Sequence, residues 1–294
     1  MSINGILVVD KAEGMTSHDV VGKVRRAAGI KRVGHTGTLD PDATGVLVIC
    51  LGPATRLAEY FVDRGKRYSA VCKLGITTTS EDASGEVLTQ TSAVHVTEDD
   101  VRRVLPHFVG EIQQVPPMVS AVHHNGQRLY ELARAGEVVE REARTIRIDS
   151  IELNNFTPGE AATFEFAVEC GKGAYIRTLC ADIGAALGVG GHMASLRRMS
   201  VGPFLANDAL KMQDLSREEI LSRLIPAADA MPWFPAVSLT EAELDDVTKG
   251  RAIARPGTDT DVVRLISHSG ELAALAALKS GSLHPFKVFP QESA

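Results

Sequence analysis

The sequence lacks any apolar run long enough to cross a lipid bilayer, which takes about 20 consecutive residues. Its first residues also lack the charged and then apolar pattern that marks a secretory signal peptide. The composition, 44% hydrophobic and 23% charged, is that of an ordinary globular protein. These features exclude a helical membrane protein, and we expect a cytoplasmic protein with no membrane partner.

Cysteine is scarce, because the chain has only four, at Cys50, Cys72, Cys170 and Cys180. No two of them stand close enough in sequence to form a zinc-binding pair. Their apolar or strand-like surroundings are typical of buried, inert thiols in a reducing compartment. The cysteines therefore predict no metal site.

The chain also lacks an excess of positive charge, since its formal net charge is −6. A protein of this charge that binds nucleic acid must gather its cations on one face, because phosphate contacts depend on local potential. Three clusters offer such cations, although each is equally typical of a solvated face: Lys23, Arg25, Arg26, Lys31 and Arg32; Arg128, Arg134, Arg141 and Arg144; and Arg197 with Arg198.

One stretch stands out, GHTGTLDPDATG at residues 34–45, because it surrounds the carboxylate of Asp40 with small residues. Its glycines permit close backbone approaches, and Pro41 pushes Asp40 toward an extended backbone. Such a loop can hold a carboxylate firmly against a ligand. An aspartate that only forms a turn is the ordinary alternative, since Asp-Pro before glycine is common turn chemistry.

A second alternative is a phosphatase, because residues 40–44 fit the Asp-x-Asp-x-Thr pattern of enzymes with an aspartyl-phosphate intermediate. That chemistry needs a metal ion beside the nucleophile. It also needs the first aspartate at the end of a buried strand, whereas here the apolar run, residues 46–51, follows the motif. Without that structural context, the pattern is weak.

The segment KRVGHTGTLDPDATGVLVICLG, residues 31–52, resembles the catalytic motif of the TruB family of tRNA pseudouridine synthases. Further family-like blocks cover most of the first two thirds of the chain: GILVVDKAEGMTSHDVV, KRYSAVCKLGITTTSEDASGEV, PPMVSAVHHNGQRLYELARAGEVVEREAR, GKGAYIRTLCADIG and GGHMASLRRMSVGPF. The resemblance implies an enzyme that converts uridine 55 in the T loop of tRNA to pseudouridine. The base would be flipped out, detached from its ribose at N1 and rejoined through C5, with no cofactor.

The same resemblance implies the residues of the site. Asp40 would be the catalytic residue, either as a nucleophile toward the sugar or the pyrimidine, or as a base toward a ribose proton. The implied substrate-binding residues are His35, Tyr68, Tyr175, Arg177 and Leu196. Among these, Tyr68 would stack on the base first and transfer protons second, and Arg177 would pair with Asp40. Family members usually carry Lys at His123 and Pro at Ala12, so local contacts there are expected to differ.

The periodicity of the sequence, together with the resemblance, predicts an α/β (α+β) fold with a mixed, largely antiparallel central sheet and flanking helices. The predicted strands are residues 5–9, 46–51, 66–74 and 163–170, and a turn is predicted at Asn125-Gly126. Predicted helices are one capped at Thr16 or Ser17 and ended by Gly29, and others over residues 54–62, 97–108 and 178–187. Tyr175 and Arg177 are expected on one face of an extended segment.

The expected domains are residues 1–232, a catalytic domain, and residues 233–294, a small β-rich module. The ending GSLHPFKVF, residues 281–289, resembles the C-terminal PUA-like RNA-binding module of bacterial TruB proteins. The block QRLYELARAGEVVEREAR resembles the stand-alone type, so the expected partner is the T arm of tRNA without a guide RNA, and we expect a monomer. A guide-RNA-dependent enzyme is one alternative. The other is an RNA-binding or RNA-folding protein without essential chemistry, which would need no intact Asp40.

Overall fold

The structure is a computed structural model that describes residues 3–120, 122–124 and 126–291. Seven α-helices lie within these residues: α1 Ser17–Ala28, α2 Glu59–Val62, α3 Glu98–Val104, α4 Leu129–Arg134, α5 Ile176–Ala186, α6 Arg217–Ser222 and α7 Glu241–Thr248. Four short 3₁₀ helices accompany them: Gly52–Leu57, Leu105–Phe108, Ala206–Asp208 and Met212–Asp214. None of the described helices is long and apolar enough to span a membrane. The turn predicted at Asn125-Gly126 includes a residue outside the described ranges.

The strands of the described residues range in length from 2 to 14 residues. They are β1 Gly5–Lys11, β2 Val33–His35, β3 Thr44–Leu51, β4 Lys66–Leu74, β5 Ile76–Thr78, β6 Val87–Gln90, β7 Gly110–Gln114, β8 His123–His124, β9 Gln127–Arg128, β10 Arg144–Thr157, β11 Thr163–Cys170, β12 Gly191–Val201, β13 Phe204–Leu205, β14 Leu210–Lys211, β15 Ile225–Pro226, β16 Ala236–Ser238, β17 Ile253–Ala254, β18 Thr260–Ile266, β19 Leu272–Lys279 and β20 Ser282–Val288.

The main sheet follows the order β14-β1-β3-β12-β4-β11-β10-β7, with β2, β13 and β15 paired to its strands. Within it, β1 pairs in parallel with β14, and β3 with β12, whereas the other pairs are antiparallel. The prediction of a mixed, largely antiparallel sheet is therefore confirmed. The strands β3, β12 and β4 stand side by side near its middle.

Strands β4 and β11 bury every second side chain along their length. In β4, Tyr68 and the residues that alternate with it up to Leu74 are buried, while the intervening residues are part-exposed. In β11 the same pattern buries Phe164, Phe166 and Val168. A strand presents alternate side chains to opposite faces, so each strand turns one apolar row into the core. Both strands match their predicted bounds.

Helix α1 begins and ends where its local chemistry requires. The Thr16 side chain accepts from the Asp19 N–H, and the Asp19 carboxylate accepts from the Thr16 N–H, which forms a capping box. Gly29 ends the helix with φ 68°, in the left-handed region that glycine adopts easily. The buried stripe of Val20, Val21 and Val24 packs under the β1–β3 side of the sheet.

Three helix predictions need correction. The segment predicted as one helix over residues 54–62 is the 3₁₀ helix Gly52–Leu57 followed by the single turn α2, since Pro53 stands at its start. The helix predicted over 97–108 is α3 and then a 3₁₀ turn that contains Pro106. Helix α5 begins at Ile176, so Tyr175 is its cap residue and Arg177 lies in its first turn, not in an extended segment.

The small β-rich C-terminal module is present as a second sheet, with the order β16-β18-β19-β20-β17. One of its faces packs against the main domain, where Leu272, Leu275 and Phe289 share an apolar cluster with Phe61 and the part-buried Trp233. The module therefore contacts the main domain directly through apolar side chains.

Candidate active site

Asp40 lies in the loop between β2 and β3, and its neighbours fix that loop. Leu39 is buried, and its N–H donates to the Ser17 hydroxyl oxygen at 2.9 Å, while that hydroxyl is 3.1 Å from the Leu39 carbonyl. After Asp40, the N–H of Ala43 donates to the Asp40 carbonyl at 3.1 Å. The backbone on both sides of Asp40 is thereby held, and its carboxylate lines the adjoining cleft.

Lys11 ties the end of β1 to the same loop. Its ammonium group is fully buried and donates to the backbone carbonyls of Ala12, Met15 and Pro41 at 2.9, 2.6 and 2.7 Å. Burial lowers the pKa of Lys11 to about 8, although the negative charges of Asp42 and Asp40 oppose the change. Ala12 supplies one of these three carbonyl acceptors.

Arg177, in the first turn of α5, joins two carboxylates. Its Nη2 lies 3.3 Å from Oδ2 of Asp40, and its Nη1 lies 3.4 Å from Oδ2 of Asp82. The Nη2 atom also donates to the Val119 carbonyl at 2.7 Å. The Arg177 side chain is 5% exposed and that of Asp40 is 37% exposed. Asp40 is thus open to the cleft while the cation that pairs with it is covered.

The two carboxylates differ in their affinity for protons. Burial raises the pKa of Asp40 above its ordinary value; the charge of Arg177 opposes this effect, and the charge of Asp82 adds to it. Burial also acts on Asp82, but hydrogen bonds from Ser80 and Ser84 and the charge of Arg177 outweigh it, so the pKa of Asp82 is lowered. Asp82 is therefore the permanently ionised partner of Arg177 at neutral pH.

A cleft of about 700 Å³ opens over Asp40. Its walls include four of the five residues that were expected to bind substrate: Tyr68, Tyr175, Arg177 and Leu196. Tyr68 on β4 and Leu196 on β12 belong to neighbouring strands. Burial raises the pKa of the Tyr68 phenol, with the charge of Arg198 opposing, so the phenol is protonated at neutral pH. Together these side chains give the cleft a flat, largely apolar wall beside a carboxylate.

Tyr175 stands at the start of α5, where no side chain caps the helix, and Gln114 holds its backbone instead. The Gln114 amide nitrogen donates to the Tyr175 carbonyl at 3.0 Å, and the Tyr175 N–H donates to the Gln114 amide oxygen at 2.8 Å. Gln114 is 2% exposed. The ring of Tyr175 lies 5.8 Å from the Arg177 guanidinium carbon, so the two side chains pack together as they enter the cleft.

His35 is the predicted site residue that does not line the cleft. It stands behind His18, with the two ring centroids 5.5 Å apart in an edge-to-face contact, and His18 does line the cleft. Burial lowers the pKa of His35, and the charges of His18 and Arg198 add to that effect. His35 therefore supports His18 as a neutral ring, and His18 is the histidine that faces the cavity.

The phosphatase alternative does not agree with this arrangement. Strand β2 ends at His35, and Asp40 follows in a loop, so the carboxylate is not at the end of a buried strand. Among the residues that the structure describes, no group of three or more His, Cys, Asp or Glu side chains is placed to hold a metal ion.

The sequence models of two protein-family domains match this chain. Residues 25–176 match the sequence model of the TruB family pseudouridylate synthase N-terminal domain, and residues 177–231 match that of the tRNA pseudouridylate synthase B C-terminal domain. The two matched segments span well over half of the sequence. The chain belongs to the TruB family.

TruB relatives are similar to this chain along most of its length. A protein named tRNA pseudouridine synthase B from Paenarthrobacter aurescens (strain TC1) is 42% identical over 299 residues, which covers 98% of this chain and 95% of the relative. A protein of the same name from Pseudomonas paraeruginosa (strain DSM 24068 / PA7) is 46% identical over 247 residues and covers 82% of this chain and 80% of the relative.

Solved structures resemble the TruB fold described above. An H/ACA RNP bound to a substrate RNA containing 2'-deoxyuridine includes a chain with TM-score 0.72 and 26% identity, covering 98% of this chain and 85% of that one. A Cbf5-Nop10-Gar1 complex includes a chain with TM-score 0.73 and 28% identity, and the match covers 97% of this chain and 85% of that chain. The similarity extends through both sheets, so the predicted fold class is confirmed.

Proposed function

We propose that this TruB family protein isomerises a uridine of tRNA to pseudouridine, the activity named for its relatives. The observation that carries the proposal is the carboxylate of Asp40 held 3.3 Å from the buried guanidinium of Arg177 beside an open cleft. A protein that only bound RNA would not need a covered arginine aligned on a carboxylate. No described contact favours such a binding-only role.

The reaction needs access to N1 and C5 of a base that is normally stacked. An enzyme that acts on such atoms turns the nucleotide out of its stack into a pocket and covers the base with flat or apolar groups. Tyr68 and Leu196 supply such groups in the cleft wall. Tyr175 and His18 close the cavity from the α5 and α1 sides.

Asp40 is the reactive group in this proposal. Arg177 favours its ionised form, and an ionised carboxylate can add to the sugar or the pyrimidine ring, or remove a ribose proton. Tyr68 acts first by stacking, because a buried phenol with a raised pKa is a poor base at neutral pH. After the base rejoins through C5, the C5 proton leaves to a group in the cleft, and the carbon–nitrogen bond has become a carbon–carbon bond.

We infer that the target is the T arm of tRNA, at uridine 55, read without a guide RNA. Relatives named tRNA pseudouridine synthase B share 41–46% of their residues with this chain. The chains from the H/ACA RNP and from the Cbf5-Nop10-Gar1 complex share only 26–28%. The chain is therefore more similar to the relatives named tRNA pseudouridine synthase B than to these two chains. We also propose that it acts as a monomer in the cytoplasm.

The contacts of the three cation clusters indicate which of them can bind the RNA backbone. The first cluster, Lys23, Arg25, Arg26, Lys31 and Arg32, forms no ion pair among the described residues. In the third cluster, Arg197 pairs with Asp10 at 2.8 Å and Arg198 is 2% exposed, so neither is a free phosphate ligand.

In the second cluster, Arg141 donates to the Pro116 carbonyl at 3.0 Å, and the side chains of Arg128 and Arg134 lie outside the described part. We propose that the first cluster and the C-terminal module, residues 233–294, bind the phosphate backbone beside the catalytic domain, residues 1–232.

The experiment is to incubate the purified protein, in chelator, with an unmodified tRNA transcript and to identify the nucleosides after nuclease digestion. The proposal expects pseudouridine at position 55, and a transcript with cytidine at that position is the control that should yield none. If the protein binds the transcript tightly and forms no pseudouridine, it has a binding role alone.

A further inference from the structure

Arg198 is a buried cation that forms no ion pair with a carboxylate within the described part of the chain. It is 2% exposed and is the largest of the fully buried side chains. Its Nε donates to the Val46 carbonyl at 2.6 Å, its Nη2 to the Gly37 carbonyl at 3.2 Å and its Nη1 to the Thr38 carbonyl at 3.4 Å. A buried charge is unfavourable unless it is well bonded, so these three carbonyls are what makes its burial tolerable.

The three carbonyls stand on both sides of Asp40 in sequence. Gly37 and Thr38 precede the carboxylate, and Val46 follows it in β3. The backbone of Arg198 adds a further contact, because Gly45, at φ 100°, lies so close that an added Cβ would be 2.2 Å from the Arg198 carbonyl oxygen. Arg198 therefore contacts both ends of the loop of residues 37–46, through its side chain and through its backbone.

The same residue also connects the loop with the wall of the cleft. In the antiparallel ladder of β4 and β12, Arg198 stands opposite Tyr68, and both residues line the cleft. A displacement of Arg198 would therefore move Asp40 and Tyr68 relative to each other. Each of the three guanidinium nitrogens of Arg198 addresses its own carbonyl, whereas a lysine at this position would have to bond all three from one nitrogen.

We propose that Arg198 is a positioning residue of the reaction, which fixes the Asp40 loop against the Tyr68 wall by bonding three loop carbonyls. The inference rests on the proposed function. It differs from the role of Arg177, which contacts the Asp40 carboxylate itself, because Arg198 acts through the backbone.

The test is Arg198→Ala, measured as the single-turnover rate of tritium release from tRNA labelled at C5 of uridine. The rate is expected to fall about 100-fold, since a misplacement of about 1 Å at a reacting group has that effect, while the tRNA dissociation constant changes less than about threefold. Removal of the side chain opens space toward the cleft. Millimolar guanidinium chloride is therefore expected to restore part of the rate, and sodium chloride at the same concentration is not.

The matched control is Arg56→Ala. Arg56 also donates to a backbone carbonyl, that of Val288, and it packs over the Phe289 ring, but it does not line the cleft. The Arg56→Ala variant is expected to lose thermal stability and to keep the single-turnover rate, with no response to guanidinium. The wild-type rate in the same assay separates the two proposals, because its absence would reject the proposed function itself.

Some results would overturn the positioning role. One is a near-normal rate in Arg198→Ala; another is a loss of rate matched by an equal loss of tRNA affinity, with no rescue by guanidinium. If Arg198→Ala does not fold, Arg198→Lys replaces it, and a folded lysine variant slowed at least roughly tenfold supports the role. A lysine variant with a smaller loss, or one that is also unfolded, assigns Arg198 to stability alone.

Discussion

The Nη2 atom of Arg177 lies 3.3 Å from Oδ2 of Asp40, although the two residues are 137 positions apart in sequence. The guanidinium is covered and the carboxylate is open, so the pair presents a negative group to the cleft and hides its counter-charge. Asp82 holds the other end of the guanidinium. Burial raises the pKa of Asp40, and the charges of Arg177 and Asp82 act on that pKa in opposite directions.

Asp82→Asn tests that coupling. The negative charge of Asp82 raises the pKa of Asp40, so its removal is expected to lower that pKa and to shift the acid limb of the pH–rate profile to lower pH. Loss of the contact that orients Arg177 is expected to reduce the rate at neutral pH roughly 10- to 100-fold. The measurement is the single-turnover rate between weakly acidic and neutral pH.

The control for this substitution is Asp42→Asn, which removes an exposed carboxylate that affects Asp40 less. Its acid limb is expected to move in the same direction by a smaller amount. An acid limb of Asp82→Asn that stays in place, at an unchanged rate, would refute the coupling.

Asp182→Asn is expected to stabilise the protein. Burial, with the charge of Glu81 adding, raises the pKa of Asp182 from 3.8 to about 6. The folded state therefore binds this proton more tightly than the unfolded chain, and the carboxyl lowers stability as the pH rises from about 4 to about 6. The variant is expected to gain about 1–2 kcal/mol in the free energy of unfolding at pH 7 and almost nothing near pH 4, by urea denaturation.

Asp245→Asn is the opposite case, because a hydrogen bond from Lys249 lowers the pKa of that exposed carboxyl. The Asp245→Asn substitution should therefore not stabilise the protein at pH 7. A gain for Asp182→Asn that is the same at both pH values would show that the carboxyl is not the cause.

Phe61→Ala tests the junction between the sheets. The Phe61 ring is fully buried, 5.4 Å from that of Trp233, which is the only tryptophan of the chain. Removal of such a side chain is expected to lower the free energy of unfolding by about 3–5 kcal/mol. Tryptophan fluorescence and far-UV circular dichroism should show one shared transition.

The neighbouring Val62 is 43% exposed, so Val62→Ala is the matched control and should change stability by less than about 0.5 kcal/mol. Two separate transitions in the wild-type protein would contradict a module packed firmly on the catalytic sheet.

Local features of the sequence predicted local features of the fold. The alternation in β4 and β11 predicted their bounds, and a capping residue at Thr16 or Ser17 with Gly29 predicted the ends of α1, because each feature depends on neighbours a few residues apart. The resemblance implies Asp40 and the substrate-binding residues, and the structure brings all of them except His35 to one cleft.

The remaining features depend on contacts between distant segments. Asp82 lies in a polar loop whose letters show nothing of its pairing with Arg177, 95 residues away. The sequence predicts the start of α5 two residues too late because no side chain caps that helix, and Gln114 on β7 holds the Tyr175 backbone instead. His18 lines the cleft only because α1 packs beside the Asp40 loop. Such arrangements appear once the chain is folded.

The most direct test of the account is Asp40→Asn, which keeps the size of the side chain and removes its charge and reactivity. Wild-type protein in chelator should release tritium from C5 of the target uridine in a tRNA transcript. We expect the variant to release none while it binds the transcript within a few-fold of wild type. Near-normal release by the variant would remove Asp40 from the reaction and contradict the central claim.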